Sequence, residues 1–257
     1  MDIDRFQRLA TAGGVEYDLE EVFGGAIRGL LTTNQKVEKG EKDGWLTAIM
    51  HLAPAKASGF QVCSNATAGC EAACLNTAGR GGIFAKGEAD NAIQRKRRLR
   101  TAWYFARRNE FLQVLDAEIA THKRRAARKG FQPAVRLNGT SDLRWESIKL
   151  EGQTLFERHP DVVFYDYTKH PDRDVSDIPN YSLTFSLAEN NDAKASVALA
   201  NGINVAAVFH SVPSEYMGRP VFDGDKSDLR FLDPSGVIVG LKAKGKARQD
   251  RTSGFVR

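Results

Sequence analysis

The alternation of short apolar segments with helical patterns most strongly limits what this chain can fold into. The spacing predicts strands at 45–52, 134–138, 162–167, 182–187, 204–209, 220–222 and 237–241, and helices at 145–158 and 190–201. Short apolar strands that alternate with helices are typical of a mainly parallel sheet whose two faces are both buried. We therefore expect an α/β fold with a parallel sheet, arranged as a partial or irregular (βα) barrel.

A long basic segment with a helical pattern follows the first predicted strand. Apolar residues recur every three or four positions from 88 to 129, as in one bent helix or two helices that end at Gly130. Residues 91–130 hold twelve Lys or Arg and three acidic residues, whereas the net charge of the whole chain is only +5. A local basic stripe indicates a polyanion partner such as nucleic acid, and a solvated helix face is the alternative. The candidate contact residues are Arg95, Lys96, Arg97, Arg98, Arg100, Arg107 and Arg108.

The composition is that of an ordinary globular protein. Of the 257 residues, 42% are hydrophobic and 27% are charged, which excludes wholesale disorder. The sequence contains no run of 18 apolar residues and no basic-then-apolar leader, so we expect a cytoplasmic protein without a membrane partner. We divide it into an N-terminal extension (1–44), one α/β domain (45–242) and a basic C-terminal tail (243–257).

All three cysteines lie in the loop after the first predicted strand. Cys63, Cys70 and Cys74 have the spacing C-x(6)-C-x(3)-C, and no fourth cysteine pairs them off. In a reducing compartment such thiolates suit zinc or an iron–sulfur cluster. A structural zinc site would need a fourth protein ligand, for which His51 and His210 are the candidates. The alternative is that the three cysteines are buried as small apolar side chains.

Polar residues also follow the other predicted strands. Because parallel strands end at one edge of a sheet, we expect these loops to form a functional site beside the cysteines. An ordinary exposed loop is the alternative at each position. The candidate residues are Asn138, Gly139, Thr140, Ser141, Asp142, Asp166, Ser186, Glu189 and His210.

The run LAPAKASGFQVCSNATAGCEAACLNTAGRGG, followed by the basic segment and by AVRLNGTSDLRWE, resembles the gene product 88 family of bacteriophages and prophages. The resemblance covers roughly residues 45–240. It implies a phage-encoded protein in the cytoplasm of the host cell, and the family brings no established activity with it.

A more distant resemblance is to radical S-adenosylmethionine enzymes, which hold a [4Fe-4S] cluster by three cysteines after the first strand of a partial barrel. It implies that Cys63, Cys70 and Cys74 bind the cluster and that S-adenosylmethionine is the ligand of the fourth iron. The usual spacing, C-x(3)-C-x(2)-C, differs from the one in this chain. On this reading the cofactor-binding residues are Asn138, Gly139, Thr140, Ser141 and Ser186, and the residues that orient cofactor or substrate are Asp142, Asp166, Glu189 and His210.

Two functions follow from these observations. The first is a radical S-adenosylmethionine-like enzyme that acts on nucleic acid or a nucleotide. The second is a non-catalytic, nucleic-acid-binding phage protein whose cysteines form a structural zinc or iron–sulfur site.

Overall fold

A computed structural model describes residues 1–23, 29–85 and 90–257. Part of the glycine-rich stretch near residue 25 and the predicted start of the basic helix at 88 lie outside these residues. The strands are β1 (Leu31–Thr32), β2 (Trp45–Met50), β3 (Gln132–Arg136), β4 (Lys149–Leu150), β5 (Gln153–Thr154), β6 (Val163–Thr168), β7 (Tyr181–Ser186), β8 (Val205–Phe209), β9 (Glu215–Tyr216), β10 (Arg219–Asp223) and β11 (Ile238–Lys242). The helices are α1 (Ile3–Ala12), α2 (Leu19–Phe23), α3 (Gln35–Glu38), α4 (Ala68–Ala72), α5 (Ala92–Ala106), α6 (Arg108–Lys129), α7 (Leu155–Arg158) and α8 (Asp192–Ala200).

Nine strands of the described chain form one sheet in the order β1-β2-β3-β6-β7-β8-β11-β10-β9. The strands β2, β3, β6, β7, β8 and β11 pair in parallel and lie side by side in the order of the chain. Strand β10 pairs in parallel with β11. The short end strands, β1 and β9, are antiparallel to their neighbours. The predicted α/β class and mainly parallel sheet are therefore confirmed. Within the described ranges β1 does not pair with β9, so the sheet is open and a closed barrel is not observed.

The long basic segment consists of two helices, α5 and α6. Arg107 separates them because its backbone leaves the helical region, with φ −132° and ψ 62°. Gly130 ends α6 in the left-handed conformation, with φ 74°, as its position after the last apolar repeat predicts.

Helices α6 and α8 pack on the same side of the sheet, which we call the outer face. Leu115 of α6 belongs to a core that contains Val135 and Phe164. Ala195 of α8 packs in a second core with Phe185. When successive parallel strands are added in one direction, right-handed connections place the connecting segments on one side, as found here.

The opposite side of the sheet, the inner face, is covered by residues 227–233. Phe231 places its ring 5.2 Å from the ring of Tyr165, which points to this face. Asp228 accepts hydrogen bonds from Arg136 Nη1 at 2.9 Å and from the Tyr165 hydroxyl at 3.2 Å. Arg136 and Tyr165 alternate along their strands with outer-face core residues, and this alternation places them on the inner side.

The predicted helix at 145–158 is wrong. Glu151 and Gly152 have φ of 52° and 86°, and these left-handed residues reverse the chain into the β4–β5 hairpin. A short helix, α7, begins only after Thr154, which forms a capping box with Glu157. The helix predicted at 190–201 is confirmed as α8.

Candidate functional site

The three cysteines lie in one loop at the edge where the parallel strands end, which we call the carboxyl edge. The cysteine loop (residues 62–82) follows β2 and contains α4, which is capped by Thr67 through a 3.2 Å hydrogen bond from the Cys70 N–H. Cys63 precedes this helix and Cys74 follows it. All three thiols are free and half-buried. The loop therefore presents three reduced sulfurs at one edge of the sheet.

The sulfur of Cys63 lies between two backbone groups. The N–H of Ala55 donates a hydrogen bond to Sγ at 3.4 Å, and the thiol points to the carbonyl of Thr140 at 3.9 Å. Burial raises the pKa of Cys63 to about 12, and the neighbouring Cys74 and Cys70 sulfurs add to the effect. The three thiols are thus close enough to influence one another electrostatically, and Cys63 carries its proton at neutral pH.

Cys74 is placed beside a cation that comes from the basic helix. Burial raises the pKa of its thiol, while the backbone N–H of Asn76 donates a hydrogen bond to the sulfur. Arg97 holds Asn76 by a 2.7 Å hydrogen bond from Nη1 to Oδ1, and its positive charge favours a thiolate at Cys74. Arg97 therefore belongs to the cysteine site. The basic sequence pattern had placed it among the nucleic-acid contacts.

A second cation, Lys169, follows β6. Burial alone would lower the pKa of its ammonium group, but the Cys70 sulfur, which accepts a hydrogen bond from it, and Asp142 raise that pKa. The ammonium also lies 5.8 Å from the ring centre of Phe255. Lys169 is among the polar residues that follow the predicted strands, and its place at the end of a parallel strand is the sequence signal that indicates it.

Glu189 lies in the loop after β7 and connects this loop to helix α4 by hydrogen bonds. Its carboxylate accepts hydrogen bonds from Thr67 Oγ1 at 2.6 Å and from the Gly69 N–H at 2.7 Å. A Cβ atom at Gly69 would lie 2.9 Å from both Glu189 oxygens and 2.8 Å from Ser253 Oγ, so a larger residue would displace these two side chains. Glu189 therefore fixes the position of α4.

The C-terminal segment (residues 243–257) is the predicted basic tail. It packs against the carboxyl edge. Val256 forms a parallel bridge with Val208, and both pack in a small cluster with Ala73 of the cysteine loop. His210 Nε2 lies 2.7 Å from the carbonyl oxygen of Asp250 in this segment. His210 is thus engaged by the C-terminal segment.

The turn at 138–142 is held together by its own side chains. Asn138 is 3% exposed, and its Oδ1 accepts hydrogen bonds from Ser141 Oγ (2.8 Å), the Leu143 N–H (3.0 Å) and Trp145 Nε1 (3.1 Å). Thr140 Oγ1 donates to the carbonyl of Leu52 at 2.6 Å. The polar atoms of this turn therefore position the backbone beside Cys63.

Close packing continues around Gly139. A Cβ atom there would lie 2.5 Å from the Met50 carbonyl oxygen, so only glycine allows β3 to end this close to β2. Asp142 accepts hydrogen bonds from the Lys169 N–H at 2.8 Å and from Arg173 Nη1 at 3.2 Å. Ser186 is half-buried at the end of β7, and its carbonyl accepts a hydrogen bond from Asn191.

Asp166 is 1% exposed and lies beneath the turn at 138–142. It accepts hydrogen bonds from the Asn138 N–H at 2.8 Å and from the Tyr181 hydroxyl at 3.1 Å. Burial raises its pKa to about 7. The structure thus brings Asp142 and Glu189 to the cysteine loop and places Asp166 in the interior.

The basic residues of α5 and the start of α6 fall into two groups. Arg97 contacts Asn76, Arg98 pairs with Asp90, and Arg100 donates to the Gly29 carbonyl from a buried position. The other four, Arg95, Lys96, Arg107 and Arg108, are exposed. Two of these four exposed cations also have acidic partners, because Arg95 pairs with Glu21 and Arg107 pairs with Glu110.

The described residues contain neither a group of side chains that could hold a metal ion nor a helix that could span a membrane. No three His, Cys, Asp or Glu side chains in this part of the chain are placed so that they could together hold a metal ion. Residues 1–23, 29–85 and 90–257 include no helix that is long and apolar enough to cross a membrane.

The chain belongs to the gene product 88 family, whose family model matches residues 28–257. This match confirms the family predicted from the cysteine run and the segments that follow it. No curated protein and no solved structure matches the chain. The more distant resemblance to radical S-adenosylmethionine enzymes has no support among these comparisons.

Proposed function

We propose that this protein is an iron–sulfur protein in which Cys63, Cys70 and Cys74 each bind one iron of a [4Fe-4S] cluster. The observation that carries the proposal is that three free cysteines lie in one loop at the carboxyl edge of a sequentially ordered parallel sheet. The carboxyl edge is where parallel α/β folds gather their functional groups.

The surroundings of the sulfurs fit a thiolate-bound cluster. Backbone N–H groups of Ala55 and Asn76 donate to Cys63 and Cys74, and hydrogen bonds of this kind to sulfur tune cluster potentials. Lys169 and Arg97 supply positive charge beside thiolates that burial would otherwise keep protonated. In a cluster each sulfur binds a different iron, so the three sulfurs do not have to surround one point as they do around zinc.

The proposal extends to S-adenosylmethionine as the ligand of the fourth iron, within a partial barrel. When both are bound, the cluster supplies the electron that cleaves this cofactor reductively. Of these residues Ser186 is the best candidate for binding the cofactor. The side chains of Asn138, Thr140 and Ser141 make hydrogen bonds within the protein, and Gly139 contributes close backbone packing.

The remaining candidate residues act in this proposal by positioning. Asp142 holds the backbone of Lys169, and Glu189 holds α4, so both fix the surroundings of the cluster. His210 and Asp166 hold the C-terminal segment and the turn at 138–142. The substrate in this proposal is nucleic acid or a nucleotide, and the protein acts in the host cytoplasm.

Anaerobic reconstitution tests the proposal. The wild-type chain should bind about four iron and four sulfide ions, as a [4Fe-4S] centre requires. Cys63→Ala, Cys70→Ala and Cys74→Ala should each lose most of this iron. Glu71→Gln is the matched control, because Glu71 is exposed on the same short helix.

A second readout follows cofactor turnover. Under dithionite the reconstituted protein should consume S-adenosylmethionine, and each cysteine variant should not. Zinc at one ion per chain without sulfide would sink the cluster proposal and support a structural zinc site in a nucleic-acid-binding protein. A cluster that leaves S-adenosylmethionine intact would remove only the enzymatic part.

A further inference from the structure

The inner face carries buried polar atoms that lack partners in the described part of the chain. They include Arg136 Nε on β3, Tyr167 OH on β6 and Ser182 Oγ on β7, which are neighbouring strands, and Arg230 Nε in the covering turn. Arg230 is only 4% exposed. Buried polar groups in native proteins are almost always hydrogen-bonded, so four of them on one face need an explanation.

The side chain of Tyr167 packs beside that of Arg136. The guanidinium of Arg136 lies 4.9 Å from the Tyr167 ring centre. Burial raises the pKa of this hydroxyl, and Asp228, Arg230 and Arg136 also act on it electrostatically. Tyr167 therefore lies beside a cation from the sheet, and a second cation, from the covering turn, acts on it electrostatically.

The unpartnered atoms share one chemical character. Two are guanidinium N–H groups, which only donate, and two are hydroxyls, which can donate. The carboxylates nearby are engaged: Asp228 accepts from Arg136 Nη1 at 2.9 Å, and Asp233 pairs with Arg230 Nη1 at 3.2 Å. The remaining donors are therefore free to bind an acceptor, and Arg is well suited to planar or tetrahedral oxyanions.

Positive charge also dominates where the inner face meets the carboxyl edge. His51 lies there, half-buried at the end of β2. Burial, together with Arg97, Arg136 and Arg100, lowers the pKa of His51 to about 3, although Asp228 opposes them. The imidazole is thus neutral, and the surplus charge around it favours an anion that enters from the carboxyl edge.

We infer that the inner face binds the oxyanion group of a small molecule, a phosphate or a carboxylate, between Arg136, Tyr167 and Arg230. This site is separate from the cysteine sulfurs, and it does not depend on whether they hold a cluster. It would give the protein a means of recognising an anionic small molecule at the centre of the sheet.

Two neighbouring tyrosines provide the test. Tyr167→Phe removes a hydroxyl without a partner, whereas Tyr165→Phe removes one that donates to Asp228 at 3.2 Å. Titration of the full chain with inorganic phosphate, and separately with acetate, at constant ionic strength in chloride should show binding of at least one of them. Tyr167→Phe should weaken anion binding about tenfold, because it removes one charge-assisted hydrogen bond. Tyr165→Phe should weaken anion binding less than about threefold.

Stability without the anion gives an independent readout. In chloride alone Tyr167→Phe should keep or raise the midpoint of thermal unfolding, because it removes an unsatisfied group, and Tyr165→Phe should lower it. Ser182→Ala should behave like Tyr167→Phe with a smaller effect. The iron content of all three variants should equal that of wild type, which separates this test from that of the cluster.

The probe that the protein binds identifies the chemical group that the inner face recognises. Binding of phosphate alone assigns the site to a phosphate group, and binding of acetate alone assigns it to a carboxylate. Wild-type protein that binds neither probe would overturn the inference and leave ordered water as the partner of these donors. An equal loss in the Tyr165 and Tyr167 variants would overturn it as well.

Discussion

The carboxylate of Glu189 accepts a 2.7 Å hydrogen bond from the backbone N–H of Gly69, which lies 120 residues earlier in the chain. Glu189→Ala should therefore loosen α4. A hydrogen bond to a charged group contributes about 1.5–3 kcal/mol, so amide exchange in residues 68–72 should become roughly tenfold to hundredfold faster. Exchange detected by mass spectrometry measures this, with Glu71→Ala as the control. Unchanged protection of this helix would show that Glu189 does not hold it.

The pH dependence of stability should show the buried carboxyl of Asp166. Its pKa is raised to about 7 by burial, so between about pH 4 and pH 7 the folded state keeps a proton that the unfolded state has lost. Stability from this group is present at low pH, falls as the pH rises through that window, and levels off above about pH 7. The total change is on the order of 4 kcal/mol.

Asp166→Asn should remove this slope. The difference in free energy of unfolding between variant and wild type should move in favour of the variant from pH 4 to pH 7, as measured by urea denaturation. Asp177→Asn, at an exposed position, should reproduce the wild-type profile. Parallel profiles for wild type and Asp166→Asn would mean that Asp166 ionises normally.

Asn138→Ala tests whether the turn at 138–142 is structural. The substitution leaves three donors without their acceptor, from Ser141, Leu143 and Trp145. We expect a loss of about 3–5 kcal/mol and a fall of about 10 °C in the midpoint of thermal unfolding. Asn201→Ala, at the exposed end of α8, is the control. A stable variant with impaired cofactor binding would instead assign Asn138 to the cofactor.

Cys63 should alkylate slowly in the folded, metal-free protein. Its pKa of about 12 leaves about a thousandfold less thiolate at pH 8 than an ordinary cysteine has. Iodoacetamide labelling followed by mass spectrometry compares the folded chain with the same chain in urea. Equal rates in both states would show that the buried environment of this sulfur opens freely.

The four exposed candidate cations of the basic helices predict how strongly nucleic-acid binding should depend on salt. Four contacts from Arg95, Lys96, Arg107 and Arg108 would give a slope of about −3.6 for log K against log salt. The double variant Arg95→Ala, Lys96→Ala should reduce it by about 1.8, while Lys194→Ala on α8 should leave it unchanged. Binding that does not depend on salt would exclude this surface.

The sheet could be predicted because each parallel strand is a short apolar run. The run at 162–167 became β6, Val163–Thr168, and the run at 182–187 became β7, Tyr181–Ser186. The position of the cysteines followed from the same reasoning, because a loop after a parallel strand lies at the carboxyl edge. The helix at 145–158 failed because its apolar spacing gives no sign of the left-handed turn at Glu151 and Gly152.

The partners of polar side chains could not be predicted. An asparagine such as Asn138 has the same sequence appearance whether it binds a ligand or its own turn. Charge density along α5 likewise does not show that Arg97 turns to Asn76 and Arg98 to Asp90. These choices depend on tertiary contacts, which a local pattern does not encode.

The hydrogen bonds that Glu189 accepts from Thr67 and Gly69 also bear on the order in which the molecule assembles. Contacts between positions so far apart in sequence carry a large loop-closure entropy and are among the last to form during folding. The strands of the sheet pair mostly with sequence neighbours, whereas the cysteine loop is completed by Lys169, Glu189 and Phe255. We therefore expect the sheet to form first and the sulfurs to be organised afterwards, so the cluster of the proposed function would be loaded onto a largely folded protein.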